Sequence, residues 1–238
     1  MKKYNKIPMF DKNGLNILDP EDKKGYKSNY ITMVQGKALK KYLPEGNNKD
    51  IALDVGCGYG RLSKFLKMKG WVVIGIDPDP QLIQIAKNQI ENIEFKIGAL
   101  PDLPVAENSA GLIMLNNVLR PLKLLNNFDA VKGLSRYLKY NGNLIVIENI
   151  YHKNDNYVDE KNIIETFKKE DLILTKKEII RLGRWWLLYL IRYGFIPINW
   201  FDAIAKYERK KILKMSRPPF YCYVNTLYVF KKENNGSF

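Results

Sequence analysis

One histidine and two cysteines are all the nitrogen and thiol metal ligands that 238 residues supply. A transition-metal centre needs three or four His, Cys or carboxylate side chains at set spacings. His152 and scattered acids give no such spacing, so no metal is expected. Cys57 and Cys222 are too few for a disulfide framework. Acids are scarce beside bases, 25 against 39, which leaves a net charge of +14. That excess invites a nucleic-acid or anionic-membrane partner. The lysines, however, are spread along the chain with only a mild cluster over 206–214, so charge alone identifies no partner and nucleic acid is not expected. No apolar segment follows Met1-Lys2-Lys3-Tyr4 as a secretory signal requires. The apolar run over 185–191 is followed by Gly194 and Pro197 and falls well short of the about 20 residues of a membrane-spanning helix. A cytoplasmic, reducing compartment is the expectation.

What is present is ordinary for a globular chain, 46% apolar and 27% charged, with length enough for one α/β domain plus additions. Its organising stretch is Ile51-Ala52-Leu53-Asp54-Val55-Gly56-Cys57-Gly58-Tyr59-Gly60. An apolar run ends in an acid, glycines alternate, and a helical pattern starts at Arg61, which predicts a buried strand, a tight turn and a helix. Glycines there let a ligand approach the backbone because no Cβ stands in the way. The spacing G-x-G-x-G differs from the G-x-G-x-x-G of dinucleotide sites, and no Lys-Ser/Thr pair follows to make a P-loop. Trp71-Val72-Val73-Ile74-Gly75-Ile76-Asp77 is a second buried strand ending in an acid. In nucleotide-binding α/β folds, an acid about 20 residues beyond the glycine turn accepts hydrogen bonds from ribose hydroxyls. Asp77 stands at that place; it can also cap the following helix, as can Asp79.

Asp54-x-Gly56-x-Gly58-x-Gly60 after an apolar strand resembles motif I of the class I S-adenosylmethionine-dependent methyltransferases, and the chain is similar to their small-molecule "methyltransferase type 11" group. The other reading is a glycine-rich turn in some different α/β protein. The resemblance covers about residues 50–150. It implies S-adenosylmethionine as cofactor, held by Asp54, Gly56, Cys57, Gly58 and Gly60, with Asp77 and Pro78 at the ribose. The loop Gly98-Ala99-Leu100-Pro101-Asp102-Leu103-Pro104 is similar to the family's adenine loop. Ala99 replaces the usual acid there, so the adenine is expected against backbone near Leu100. Asn116 and Asn117, ending the fourth strand, are expected to line the site. The leading helix of the family often offers tyrosine or basic side chains to the methionine carboxylate. Tyr26, Tyr30 and Lys24 are the positions for that, or simply part of a helix covering a sheet edge. The residues 134–142 resemble the family's R-x-L-K-P-G-G turn with Asn141 in place of proline. Neither an Asn-Pro-Pro-Tyr sequence nor a Pro-Cys pair occurs, which speaks against methylation of nucleobase nitrogen or of pyrimidine carbon.

The expected architecture is a doubly wound α/β fold with a mostly parallel seven-stranded sheet, the last strand antiparallel. Residues 1–46 form an arm and a capping helix (24–43), 47–180 the cofactor-binding core, 181–219 a helical insertion, and 220–238 the last strand and tail. Within the core the patterns predict helices over 61–69, 79–89, 128–140 and 162–169, alternating with strands. The insertion holds three of the four tryptophans. It reads as a lid over an apolar substrate, a homodimer contact, or an interfacial membrane element over 184–214 with Lys206, Arg209, Lys210 and Lys211 facing anionic lipid.

Catalysis by such a fold needs a general base only when the acceptor must lose a proton. His152 on the ligand rim is the first candidate, or else an exposed loop residue, and Glu148 at the end of the fifth strand is the second, or else a cap for a neighbouring turn. The reading is a methyltransferase acting on a small or medium-sized metabolite of sugar-, lipid- or peptide-derived type, with oxygen preferred over nitrogen. A nucleic-acid methyltransferase and a non-catalytic partner subunit that keeps the cofactor fold are the alternatives, and a dinucleotide oxidoreductase is weaker still.

Overall fold

The computed structural model describes residues 19, 21–151, 153–216 and 222–233. Most of the expected arm (1–18 and 20 of 1–23), the start of the expected last strand with the residues before it (217–221), and residues 234–238 lie outside the described residues. In chain order the elements are α1 (Tyr26–Tyr42), β1 (Ile51–Val55), α2 (Ser63–Met68), β2 (Val72–Asp77), α3 (Pro80–Gln89) and β3 (Glu94–Ile97). Then come β4 (Ala110–Asn116), α4 (Leu119–Leu124), β5 (Leu138–Ile150), α5 (Glu160–Lys168), β6 (Leu172–Leu182), α6 (Trp186–Tyr193), α7 (Phe201–Leu213) and β7 (Val224–Lys232).

The strands lie in the order β3-β2-β1-β4-β5-β7-β6. All pairings along β3 to β5 are parallel, and β7 runs antiparallel to both β5 and β6. This is the doubly wound α/β sheet that the apolar runs predict. Successive residues in a strand face opposite sides, and here both sides are covered. Leu53, Val55, Ile74, Ile76, Ile113 and Leu115 enter one core. Ala52, Val73, Leu112, Met114, Ile145 and Ile147 enter the other. Strands buried on both faces therefore read as continuous apolar runs rather than alternating ones. Strand order reverses between β1 and β4, and the carboxyl ends at such a switch point are where open sheets bind ligands.

One segment departs from expectation. No helix spans 128–140. Two short 3-10 turns, Phe128–Val131 and Leu134–Tyr137, flank Gly133, whose φ of 79° ends any helical run. A short helix, α4, forms earlier instead, and β5 starts already at Leu138. Its ladder to β4 jumps from Ala110–Leu138 to Leu112–Asn143, so 139–142 form an excursion in the strand. Asn141, with φ 60°, sits in it where the related turn has proline.

Candidate cofactor site

The glycine turn is pinned to the end of β2. The N–H groups of Gly56 and Cys57 donate to the Ile76 carbonyl at 2.7 and 3.1 Å. Gly56, Gly58 and Gly60 all have φ between 56 and 77°, a left-handed backbone that side chains with a Cβ resist. Their surroundings differ. A Cβ at Gly56 would strike Val118, and one at Gly60 would strike Ile90 and Phe95. At Gly58 a Cβ would meet nothing within 4 Å. Gly58 therefore faces open space, while its neighbours serve packing.

Asp77 closes the other side of that opening. Its Oδ2 accepts from Gly58 N–H at 2.8 Å and its Oδ1 from Asp79 N–H at 3.0 Å. It does not cap α3. Asp79 does so, accepting from Gln81 and Leu82, with Pro80 at the first helical position. Burial raises the pKa of Asp77, opposed by those two backbone donors. Asp54 sits beneath the turn, 1% exposed, and its Oδ2 accepts from Ser63 Oγ at 2.5 Å. Burial pushes its carboxyl up to about 7 against the Ser63 bond and the Arg61 charge, with the Asp77 charge adding to the rise. Pro78 and Ala99 are exposed and Leu100 is buried.

A polar chain unforeseen from the sequence crosses the strand ends beside this turn. Arg61 donates from Nη1 to Thr32 Oγ1 at 3.0 Å and from Nη2 to Gln35 Oε1 at 2.8 Å. Gln35 Nε2 donates in turn to Asn116 Oδ1 and Asn225 Oδ1, and Asn225 Nδ2 to Asn149 Oδ1. Asparagines at the ends of β4, β5 and β7 are thus tied to α1, which roofs them. The available signal was a polar residue at the end of each apolar run. Asn117, expected to line the site, has φ 56°, and its Oδ1 is buried without a partner. Such an orphan acceptor usually meets a ligand or water.

Two expectations are corrected. Tyr30 does not offer its hydroxyl to a ligand: it is fully buried and donates to Glu208 Oε2 at 2.6 Å, with Phe201 edge-on to its ring. Glu208 Oε1 accepts from Leu182 N–H, so this pair clips α1 and α7 to the end of β6. Glu148 is not placed as a base. It is fully buried; its Oε2 accepts from Leu119 and Arg120 N–H and its Oε1 from Asn149 N–H. Those first two are the opening donors of α4. The third helical position is Pro121, which has no N–H to satisfy, so Glu148 is the N-terminal partner of that helix. Burial raises its pKa to about 7. Tyr26 is half-buried at the end of α6, where a Cβ on Gly194 would come within 2.9 Å of its ring, and Lys24 is exposed. His152 lies outside the described residues. A concavity lined by Asp50, Trp71, Lys139 and Asn141 opens at the amino ends of the strands, away from this rim.

The raised carboxyls set a pH dependence. Asp54 and Glu148 hold protons to about pH 7 in the folded chain, against 3.8 and 4.5 ordinarily. The folded state thus binds more protons than the unfolded one inside that window, and stability falls as pH rises through it. The slope is at most about 1.4 kcal/mol per pH unit for each group. Urea unfolding should give a higher midpoint at pH 5.5 than at pH 8, and Asp54→Asn should flatten the difference. A midpoint that rises with pH would contradict the burial of these groups as carboxylic acids.

A seven-stranded sheet in this order, with an acid-and-glycine turn after β1 and an acid ending β2, defines the class I S-adenosylmethionine-dependent methyltransferase fold. Residues 53–146 match the model of a methyltransferase domain, and that match together with the fold supports S-adenosylmethionine as the cofactor. An "uncharacterized methyltransferase" of Alkaliphilus oremlandii is 25% identical over 129 residues, 54% of this chain and 59% of its own length. The chain thus spans under two thirds of that relative. A demethylmenaquinone methyltransferase of Chlorobaculum parvum is 27% identical over 190 residues, 79% of this chain and 73% of that one. The fold is also similar to that of geranyl diphosphate C-methyltransferase from Streptomyces coelicolor A3(2), with a TM-score of 0.63 at 13% identity over 88% of this chain and 83% of that one.

Proposed function

We propose that the protein transfers the methyl group of S-adenosylmethionine to a small or medium-sized metabolite, lipid-derived rather than sugar- or peptide-derived, with oxygen as the acceptor atom. The observation that carries the cofactor assignment is the open approach at Gly58 beside the Asp77 carboxylate, with the partnerless Asn117 oxygen on the same rim. The lipid-derived branch rests on the apolar insertion that leaves the sheet at this rim and on the similarity to a protein named for demethylmenaquinone.

When bound, the cofactor supplies an activated methyl group on a sulfonium. The chain's part is placement. Asp77 has lone pairs left on both oxygens for ribose hydroxyls, and Gly58 lets the nucleoside lie against the backbone. Asp54, buried beneath the turn and bonded to Ser63, fixes its shape, and half-buried Arg61 sets a positive charge beside it. The α1 roof and its amide chain exclude water from the strand ends, which favours in-line approach of the acceptor. A hydroxyl acceptor must shed its proton, and with Glu148 committed to α4 the remaining candidate base is His152.

Gly58→Ala tests the reading. The left-handed backbone makes the substitution cost about 1–2 kcal/mol in stability. Calorimetry should also show at least a 10-fold weaker affinity for S-adenosylmethionine, because the new methyl occupies the ligand's space. Gly133→Ala imposes the same kind of strain at φ 79° away from the turn and should leave affinity unchanged. Equal affinities in both variants would remove the proposed ligand position.

A further inference from the structure

We propose that the outer face of the insertion between β6 and β7 docks on an anionic lipid bilayer. The helix α6 splits cleanly in two. Leu188 and Ile191 face the core, while Trp186, Tyr189 and Tyr193, spaced three and four residues apart, face outward. The chain that follows adds Phe195, Ile198 and Trp200, at 73, 59 and 60% exposure. Six large side chains lie open within fifteen residues, whereas soluble monomers expose apolar surface mostly in small, scattered patches. Their chemistry is that of an interface: Trp and Tyr pair an apolar ring with a polar tip, and both concentrate where hydrocarbon meets headgroups. Arg192 braces two of them, with its guanidinium 5.2 Å from the Tyr189 ring centre and 4.9 Å from that of Tyr193.

Charge selects the occupant. No Asp or Glu occurs from 183 to 201. Along α7, Phe201, Ile204, Glu208 and Ile212 are buried, and Lys206, Lys210 and Lys214 form an outward stripe at four-residue intervals. The exposed acid at its start, Asp202, is paired with Lys37. Exposed rings on α6 and the chain after it are followed along α7 by these exposed lysines, of which, among the described residues, only Lys206 has an acid nearby, Asp202. Rings and lysines so placed match acyl chains beneath anionic headgroups. A second copy fits less well, because a two-fold contact lays the patch on itself and sets the lysine row near its own image, while the exposed acids alongside, Glu21 and Asp202, are already paired with Arg192 and Lys37. None of the helices among the described residues is long and apolar enough to cross a membrane; α6, eight residues long, would lie in the interface plane. The insertion starts after Leu182 and ends before Val224, which pair at the ligand-rim edge of the sheet. Docking would thus turn the cofactor rim toward the lipid.

The test is co-sedimentation with phosphatidylcholine vesicles, with and without one-third phosphatidylglycerol, at physiological salt and without methyl donor. It is therefore independent of the catalytic reading. The full chain should pellet with the anionic vesicles and stay in solution with the neutral ones. Trp186→Ala with Trp200→Ala should weaken partitioning at least 10-fold with an unchanged melting temperature, as both side chains are exposed. Lys206→Glu with Lys210→Glu should abolish the preference for anionic lipid. Failure to bind anionic vesicles, or undiminished binding by the tryptophan variant, overturns the proposal. So does a dimer in light scattering that the tryptophan variant converts to monomer, since a second copy then covers the face.

Discussion

Replacing Asp77 by alanine is expected to weaken S-adenosylmethionine binding by two or more orders of magnitude. Both oxygens of Asp77 already accept one backbone N–H each, from Gly58 and Asp79. Each keeps lone pairs for a ribose hydroxyl. Hydrogen bonds to a charged group are worth about 1.5–3 kcal/mol apiece, so losing two gives roughly 10²- to 10⁴-fold. The alanine variant also frees the Gly58 N–H and loosens the turn. Asp77→Asn separates the two effects: it keeps an acceptor for one backbone donor and should fall between wild type and alanine. Calorimetric titration with S-adenosylmethionine and with S-adenosylhomocysteine reads both variants, with far-ultraviolet circular dichroism to show that the fold persists. Unchanged affinity in the alanine variant would remove the ribose assignment.

The largest loss of stability should come from Glu148→Ala. Three backbone donors, the buried one of Leu119 and the half-buried ones of Arg120 and Asn149, would lose their acceptor. Leaving such a group unmade costs about 1–3 kcal/mol each, so a total of about 3–5 kcal/mol follows even if water reaches one of them. Chemical denaturation should show the midpoint fall accordingly, with α4 the first element to lose protection in hydrogen exchange. Glu148→Gln keeps an acceptor and removes the buried charge. Its midpoint should fall less than that of wild type between pH 5.5 and pH 8, and it should retain methyl transfer. A glutamine variant that folds but is inactive would return Glu148 to the role of base.

The contrast between these residues shows where sequence reasoning reached and where it stopped. The glycine turn, Asp77 and the strands were legible because each is written in a local signal: alternating glycines, an acid closing an apolar run, both strand faces buried. The competing N-cap reading of Asp77 was resolved only by the three-dimensional pairing of Asp79 with Gln81 and Leu82. What stayed hidden is non-local. Glu148 meets α4 from 29 residues away, and Tyr30 meets Glu208 from 178 away. No periodicity encodes such partners. The amide chain from Gln35 to Asn149 joins α1 to three strands for the same reason. The missing helix over 128–140 failed differently: its apolar spacing was helical, and the single glycine at 133 outweighed it.

The pairing of Leu182 with Val224 has a consequence for how this architecture can change. Because β6 and β7 are zipped together, the two stems of the stretch between them are held side by side by the sheet itself. Growing such a tethered loop to twice its size costs only about 0.6 kcal/mol in closure entropy. The outward-facing part of the appendage can be lengthened or varied, whereas its inner contacts, such as Glu208 on Tyr30, must be kept because they hold the α1 roof. Selection for a new acceptor therefore has a place to act on the outer face, while the glycine turn and Asp77, built on β1 and β2, are left alone.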